Sequence, residues 1–402
     1  MRIYPAHVEA IAGALANIFG ENKYADREIA RVLKADRKRG SKDRAFIAEH
    51  TYGVVRNYRL LRHVLGGGKP KKRASWWRMV GLHLLSEGYE LPPWKEFADL
   101  DEETLKERWQ EAKETRALRE SVPDWLDELG VAELGEDLWT PTLAALNEPA
   151  PVVLRANRLK ITPPELIERL AAENIGTELV AADALVVTER RNLFATAAFK
   201  EGLFEVQDFS SQQAAPALEV APGMTVIDAC AGAGGKSLHL AALMENRGQL
   251  ISLDIHDWKL AELKKRARRN GVSNLETRPI TNSKVIKRLH ERADRVLLDV
   301  PCSGLGVLRR NPDAKWKLSQ DFIDRVVAEQ ADILARYSRM VKPGGKLVYA
   351  TCSILPRENQ DQVTAFLGAD AGAGWRMEEQ RTFLPQTDGF DGFFVCRLVR
   401  EG

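Results

Sequence analysis

Through the first 65 residues apolar positions recur every three or four places, as in DREIARVLKADRK and AFIAEHTYGVVRNYRLLRHVL, and that spacing predicts helices. GGGKPKKR (66–73) breaks the pattern as a flexible basic linker. Helical spacing resumes at Trp76 and runs to about Leu146, with ADLDEETLKERWQEAKE its clearest stretch, and NEPAP (147–151) ends the lobe. Residues 152–205 then mix short β runs (VVLRAN, ALVVTE, GLFEVQ) with a proline-started helix, PPELIERLAAEN. From about 211 strands and helices alternate. The predicted strands are 225–230, 249–255, 275–280, 295–300 and 346–352; the predicted helices are 236–246, 257–270, 283–291, 320–341 and 357–367. Nearly uninterrupted apolar strands separated by helices predict a parallel sheet buried on both faces. The tail, GFDGFFVCRLVRE, adds a last strand expected to insert antiparallel. The boundaries predicted are therefore 1–146 for a helical domain, 147–210 for a small α+β module and 211–402 for an α/β domain.

A chain of 402 residues exceeds what one core usually holds, in keeping with several domains. No apolar stretch approaches the ~20 residues of a membrane span, and the first residues lack the pattern of a signal peptide. A cytoplasmic protein without membrane contact is expected. The net charge of +2 hides an asymmetry. Residues 1–75 carry 17 Lys and Arg against 7 Asp and Glu, whereas residues 79–150 carry 6 against 18. A basic N-terminal lobe permits a polyanionic partner without naming one, and charge runs also serve as solvated helix faces. The four cysteines, Cys230, Cys302, Cys352 and Cys396, have no knuckle spacing, so no metal site is expected. Buried, inert thiols are the ordinary reading for each.

Three motifs change that reading. The first strand of the α/β domain runs into DACAGAGGKS (228–237), where Gly232, Gly234 and Gly235 allow the backbone to approach a nucleotide closely. A phosphate-cradling loop ending in Gly235-Lys236-Ser237 would need Gly where Cys230 stands, so a nucleotide hydrolase is disfavoured. An adenosine-bearing cofactor instead needs an acid at the end of the next strand to hold its ribose, and Asp254 stands there. The fourth strand ends in LLDVPCSG, with Asp299 and Cys302 around Pro301, and the fifth in ATCS, with Cys352. Strands four and five are neighbours in a sheet ordered about a switch point, so two thiols would meet beside one pocket. The C5 carbon of a pyrimidine is a weak nucleophile; a thiolate added to C6 makes it electron-rich enough to take a methyl group, and elimination then expels the thiolate. Asp299 is suited to hydrogen-bond the N3 and amino edge of such a ring.

DACAGAGGKS, LLDVPCSG and VYATCS, in this order and spacing, resemble the Sun/Fmu-type RNA (cytosine-5) methyltransferases, and especially the bacterial small-subunit ribosomal RNA class. The likeness extends over about 150–400, with NRLK, FEVQDFSSQ and DGFFVCRLV. Residues 1–65, notably KDRAFIAEHTYGVVRNYRLL, resemble the NusB-like helical RNA-binding domain joined to some members. The resemblance implies an α/β, Rossmann-like methyltransferase fold: a seven-stranded mostly parallel sheet with the last strand antiparallel, an all-α N-terminal domain and a small α+β module between. It implies S-adenosylmethionine as cofactor, S-adenosylhomocysteine as product, and RNA as partner, either ribosomal RNA or a ribosomal particle, with a monomer compatible. Cys352 would be the nucleophile and Cys302 would assist proton removal or product release. Asp299 would lie between cofactor and base, and Lys236 would reach the cytosine. Cys230, Ala231, Gly232, Ala233, Gly234, Gly235, Lys236, Asp254, Asn282 and Asp299 would line the cofactor site.

Two departures accompany the likeness. The family's Ala-Pro-Gly-Gly-Lys-Thr appears here without its proline, which loosens the loop while keeping its amides. The Asp expected after the third strand is absent, and Thr281 or Asn282 takes its place. Arg309, Arg310, Lys315 and Lys317 after the PCS loop would hold phosphates, the target base being presented from a loop or flipped from its stack, while the basic helix 259–270 reads equally as a solvated face or as a further RNA contact. The alternatives are a transfer RNA methyltransferase of the same chemistry and an RNA-binding assembly factor that retains only the methyltransferase shell.

Overall fold

The structure is a computed structural model, and it describes residues 2–36 and 38–402. The chain forms two compact units, one of residues 1–148 with 308–320 and the other of residues 149–307 with 321–402.

The first unit is helical. Its longer helices are Pro5–Gly20, Ala25–Ala35, Ser41–Arg56, Arg73–Ser86, Glu102–Lys113, Asp124–Leu134 and Glu136–Leu146. Their apolar faces close on a core that includes Val8, Ile11, Leu15, Ile47, Leu61 and Met79. The predicted linker is the loop between helices Tyr58–Val64 and Arg73–Ser86, where Gly66 and Gly67 turn the chain at positive φ. Asp101 caps helix Glu102–Lys113 by accepting from the Thr104 amide at 3.0 Å.

Segment 308–320 belongs to this unit, and its cations overturn one expectation. Lys315 is 1% exposed; its Nζ donates to Asn147 Oδ1 at 3.0 Å and approaches the Glu120 carbonyl at 3.5 Å. Burial pushes its ammonium well below the usual lysine range. Lys317 Nζ donates to the Lys23 carbonyl at 2.8 Å, and Arg309 is buried. Lys315 is thus a packing cation inside the helical unit and not a phosphate ligand. Hydropathy could not show this, because a lysine on an irregular segment reads as solvated.

The second unit holds two sheets. The smaller comprises β1 (Val153–Ala156), β2 (Thr177–Leu179), β3 (Ala184–Val187) and β4 (Phe204–Val206), antiparallel in the order β2-β3-β1-β4. Helix Pro163–Ala172 packs on it through Leu166 and Leu170. A capping box starts that helix, with Glu165 accepting from the Thr162 amide at 2.9 Å.

The larger sheet comprises β5 (Thr225–Asp228), β6 (Gln249–Asp254), β7 (Leu275–Pro279), β8 (Ala293–Asp299), β9 (Val341–Thr351), β10 (Trp375–Phe383) and β11 (Phe393–Arg400). The order is β10-β11-β9-β8-β5-β6-β7, with β5 to β9 parallel and β11 antiparallel to β9. The expected α/β class, with seven mostly parallel strands and an antiparallel last strand, is observed. Strand order reverses between β5 and β8, so their carboxyl ends flank the crevice where such sheets bind ligands. β10 is an edge strand that hydropathy does not reveal, because WRMEEQRTF is polar and almost wholly exposed. Pairing with β11 holds it, and both Lys346 and Arg397 bond Glu378 at 2.7 Å. Among the described residues, no helix is long and apolar enough to cross a membrane.

Candidate active site

Five strand ends build the site. Pairing sets Asp228 of β5 opposite Leu297 of β8, and Asp299 of β8 opposite Ala350 of β9, so the catalytic candidates stand just beyond adjacent registers. After β8 and β9 the chain turns twice, and the two turns bring Cys302 Sγ to 3.2 Å from Cys352 Sγ. Both side chains are half-buried. The neighbouring Cys352, then burial, pushes the Cys302 thiol well above its ordinary range. Gly306 lets these turns approach: a Cβ there would stand 2.8 Å from the Cys352 carbonyl oxygen.

Lys236 comes from the first turn of helix Gly235–Leu243, and its Nζ meets Asp299 Oδ2 at 2.7 Å. The ammonium also lies 5.2 Å from the centre of the Phe393 ring. Burial disfavours its charge, but Asp299, by charge and hydrogen bond, and then Cys352 outweigh burial and raise its pKa.

The glycine loop runs from Ala229 to Gly235. Gly232 has φ +55° with open space where a Cβ would stand, whereas Gly234 has φ +88° and a Cβ there would meet Leu263 Cδ1 at 2.0 Å. Arg266 donates to the Ala233 carbonyl at 2.7 Å and bonds Glu205 at 2.8 Å, fixing the loop to the smaller sheet. Asp254 accepts from the Gly232 amide at 2.9 Å and the His256 amide at 2.8 Å. Ile255 and Trp258 beyond it are exposed. An open backbone surface at Gly232, an oriented acid and exposed apolar side chains fit a nucleoside-bearing group. Cys230 and Ala231 line the same loop, and burial pushes the Cys230 thiol well up. Asn282 lies beyond β7 at the same sheet edge, but its Oδ1 caps helix Ser283–Lys287 by accepting from the Lys284 amide at 2.9 Å.

Of the basic helix Asp257–Asn270, Arg266 and Arg269 turn inward to Glu205, which leaves Lys264, Lys265 and Arg268 exposed. Sequence reasoning missed Glu358, Asn359 and Gln330, which tie the cysteine turns together. PRENQ carries the first two but reads as an ordinary helix start.

The chain matches the family model described as 16S rRNA methyltransferase RsmB/F over residues 215–399, and a Methyltr_RsmF/B-like, ferredoxin-like domain over 122–193. The probable ribosomal RNA small subunit methyltransferase B of Synechocystis sp. is 31% identical, over 96% of this chain and 97% of that protein. The chain belongs to the RsmB/F methyltransferase family. The corresponding protein of Bacillus subtilis is 36% identical over 70% of this chain and 66% of its own length. Among solved structures, PH0851 superposes with a TM-score of 0.82 at 24% identity over the whole of both chains. NSun6 from Pyrococcus horikoshii with SFG gives 0.64 at 21%, over 70% of this chain and 98% of that one. These two likenesses bear on the fold. Membership makes the chain an RNA methyltransferase with S-adenosylmethionine as its cofactor.

Proposed function

We propose that the chain methylates C5 of a cytosine in small-subunit ribosomal RNA, in the cytoplasm, through a transient bond between Cys352 and C6 of the base. The observation that carries this reading is the approach of the two sulfurs to 3.2 Å beside the Lys236–Asp299 pair. A single nucleophilic thiol needs no such neighbour. S-adenosylmethionine, when bound, supplies the electrophilic methyl that an electron-rich C5 accepts. The glycine loop 230–236 and Asp254 would hold it, with Asn282 at the rim.

Cys302 keeps its proton, because the neighbouring sulfur and burial both oppose its ionisation. The Lys236 ammonium, whose charge Asp299 and then Cys352 favour, lies where it can stabilise an anionic sulfur. The Cys352 thiolate forms the S–C6 bond, pushing the ring's electron pair towards C5. Asp299 and Lys236 form one hydrogen-bonded unit able to face the N3 and amino edge of the ring, where charge develops on addition. Once C5 carries its methyl, loss of the C5 proton returns the electron pair to the ring and breaks the S–C6 bond. Solvent takes the C5 proton at that stage, and Cys302, as a thiol, assists by donating its proton to the departing Cys352 sulfur.

The test is a denaturing gel of variants incubated with S-adenosylmethionine and small-subunit ribosomal RNA, with bisulfite sequencing of the product. Cys302→Ala should retain RNA covalently, whereas Cys352→Ala should form no adduct and no 5-methylcytosine. Adduct with Cys352→Ala and none with Cys302→Ala would reverse the assignment.

A further inference from the structure

Glu358 lies in the loop after β9 and is wholly buried, yet no step above uses it. Its Oε1 accepts from the hydroxyls of Ser303 and Ser353, each at 2.5 Å. Its Oε2 accepts from the Ser303 amide at 2.7 Å and from Gln330 Nε2 at 3.0 Å. The same Gln330 nitrogen donates to the Pro301 carbonyl at 2.8 Å. Residues on both sides of Cys302 are thus fastened, directly or through Gln330, to one carboxylate. Four donors converge on it, and only an acceptor-only side chain satisfies them all.

The two turns do not depend on it equally. The Cys352 turn has bonds of its own: Asn359 accepts from Thr351 Oγ1 at 2.5 Å and donates to the Ser353 carbonyl at 3.0 Å. The Ser353 amide also donates to Thr351 Oγ1 at 3.2 Å. We infer that Glu358 is a positioning residue that holds Cys302 against the Cys352 sulfur, so that its loss stalls release of the covalent intermediate while leaving its formation intact. This rests on the two-thiol reading above.

The experiment compares Glu358→Gln with Cys302→Ala on the same denaturing gel, with steady-state rates and S-adenosylhomocysteine titration beside it. Glu358→Gln keeps the volume but turns an NH2 group towards donors. It should accumulate adduct as Cys302→Ala does and lose about 10²-fold in kcat, the loss expected of a roughly 1 Å misplacement. Cofactor affinity should stay within about twofold, because no binding contact is removed. Glu358→Asp, which restores both acceptor oxygens, should recover part of the rate. Ser303→Ala, a milder change that removes one of the two hydroxyl bonds to Glu358, should show a weaker accumulation of the same kind and covers the case in which the glutamine variant does not fold. Near wild-type turnover in Glu358→Gln overturns the inference. So does joint loss of adduct and cofactor binding in every variant, the signature of a purely structural role. If Cys302→Ala accumulates adduct and the folded Glu358 variants do not, only this inference falls; if Cys302→Ala accumulates none, the two-thiol reading falls with it.

Discussion

Asp228, at the end of β5, shows what the site costs at the scale of one residue. It is 1% exposed; Oδ2 accepts from Ser237 Oγ at 2.6 Å, while Oδ1 has no hydrogen-bond partner among the described residues. Burial lifts its carboxyl from 3.8 to about 7, against the Ser237 bond and with help from the charge of Asp299. The folded protein therefore holds this proton more tightly than the unfolded chain. Its contribution to stability is complete below pH ~4, falls as pH rises towards 7 and is lost above that. Asp228→Asn should thus gain stability over the parent at pH 8 and gain little at pH 4. Thermal melts at the two pH values check this, and an equal shift at both would contradict it. The cysteine pair was legible in the sequence, since PCS and TCS close two apolar β runs that topology makes neighbours. Glu358 was not, because the burial of a carboxylate is a product of tertiary packing and leaves no hydropathy signal. Lys315 was misread for the same reason.

At the scale of elements, the parallel strands were legible from their apolar runs, and the crevice from the order in which strands and helices alternate. β10 was not, since an exposed edge strand buries too little to leave an alternating pattern. The glycine loop invites a direct test. Gly234→Ala would force a Cβ onto the buried Leu263 at a left-handed φ, and both effects disfavour the turn that starts helix Gly235–Leu243. Calorimetric titration with S-adenosylhomocysteine should show at least about tenfold weaker binding, equivalent to about 1.4 kcal/mol. Unchanged affinity would mean that the loop does not hold the cofactor. Adding Leu263→Ala should relieve the overlap, but not the backbone strain, and should restore binding only in part.

At the scale of the whole molecule, the chain leaves the catalytic unit after Val307, contributes 308–320 to the helical unit and returns at Asp321. A strand–helix alternation contains no sign of such an excursion, which is why the sequence reads as contiguous domains. Trp316 anchors the segment: its Nε1 donates to the Val55 carbonyl at 2.7 Å, and its ring meets Tyr58 at 5.6 Å between centroids. Trp316→Ala should destabilise the helical unit by about 3 kcal/mol and open 308–320 to limited proteolysis; an unchanged unfolding midpoint and digestion pattern would remove it as an anchor. The catalytic claim itself is tested most directly on the intact wild-type enzyme. A fluorine at C5 of the target cytosine leaves no proton for the final elimination, so the protein–RNA bond should persist after methyl transfer. Peptide mass spectrometry of that adduct should find the nucleotide on the peptide bearing Cys352, while a nucleotide on Cys302, or no bond to protein at all, would contradict the account.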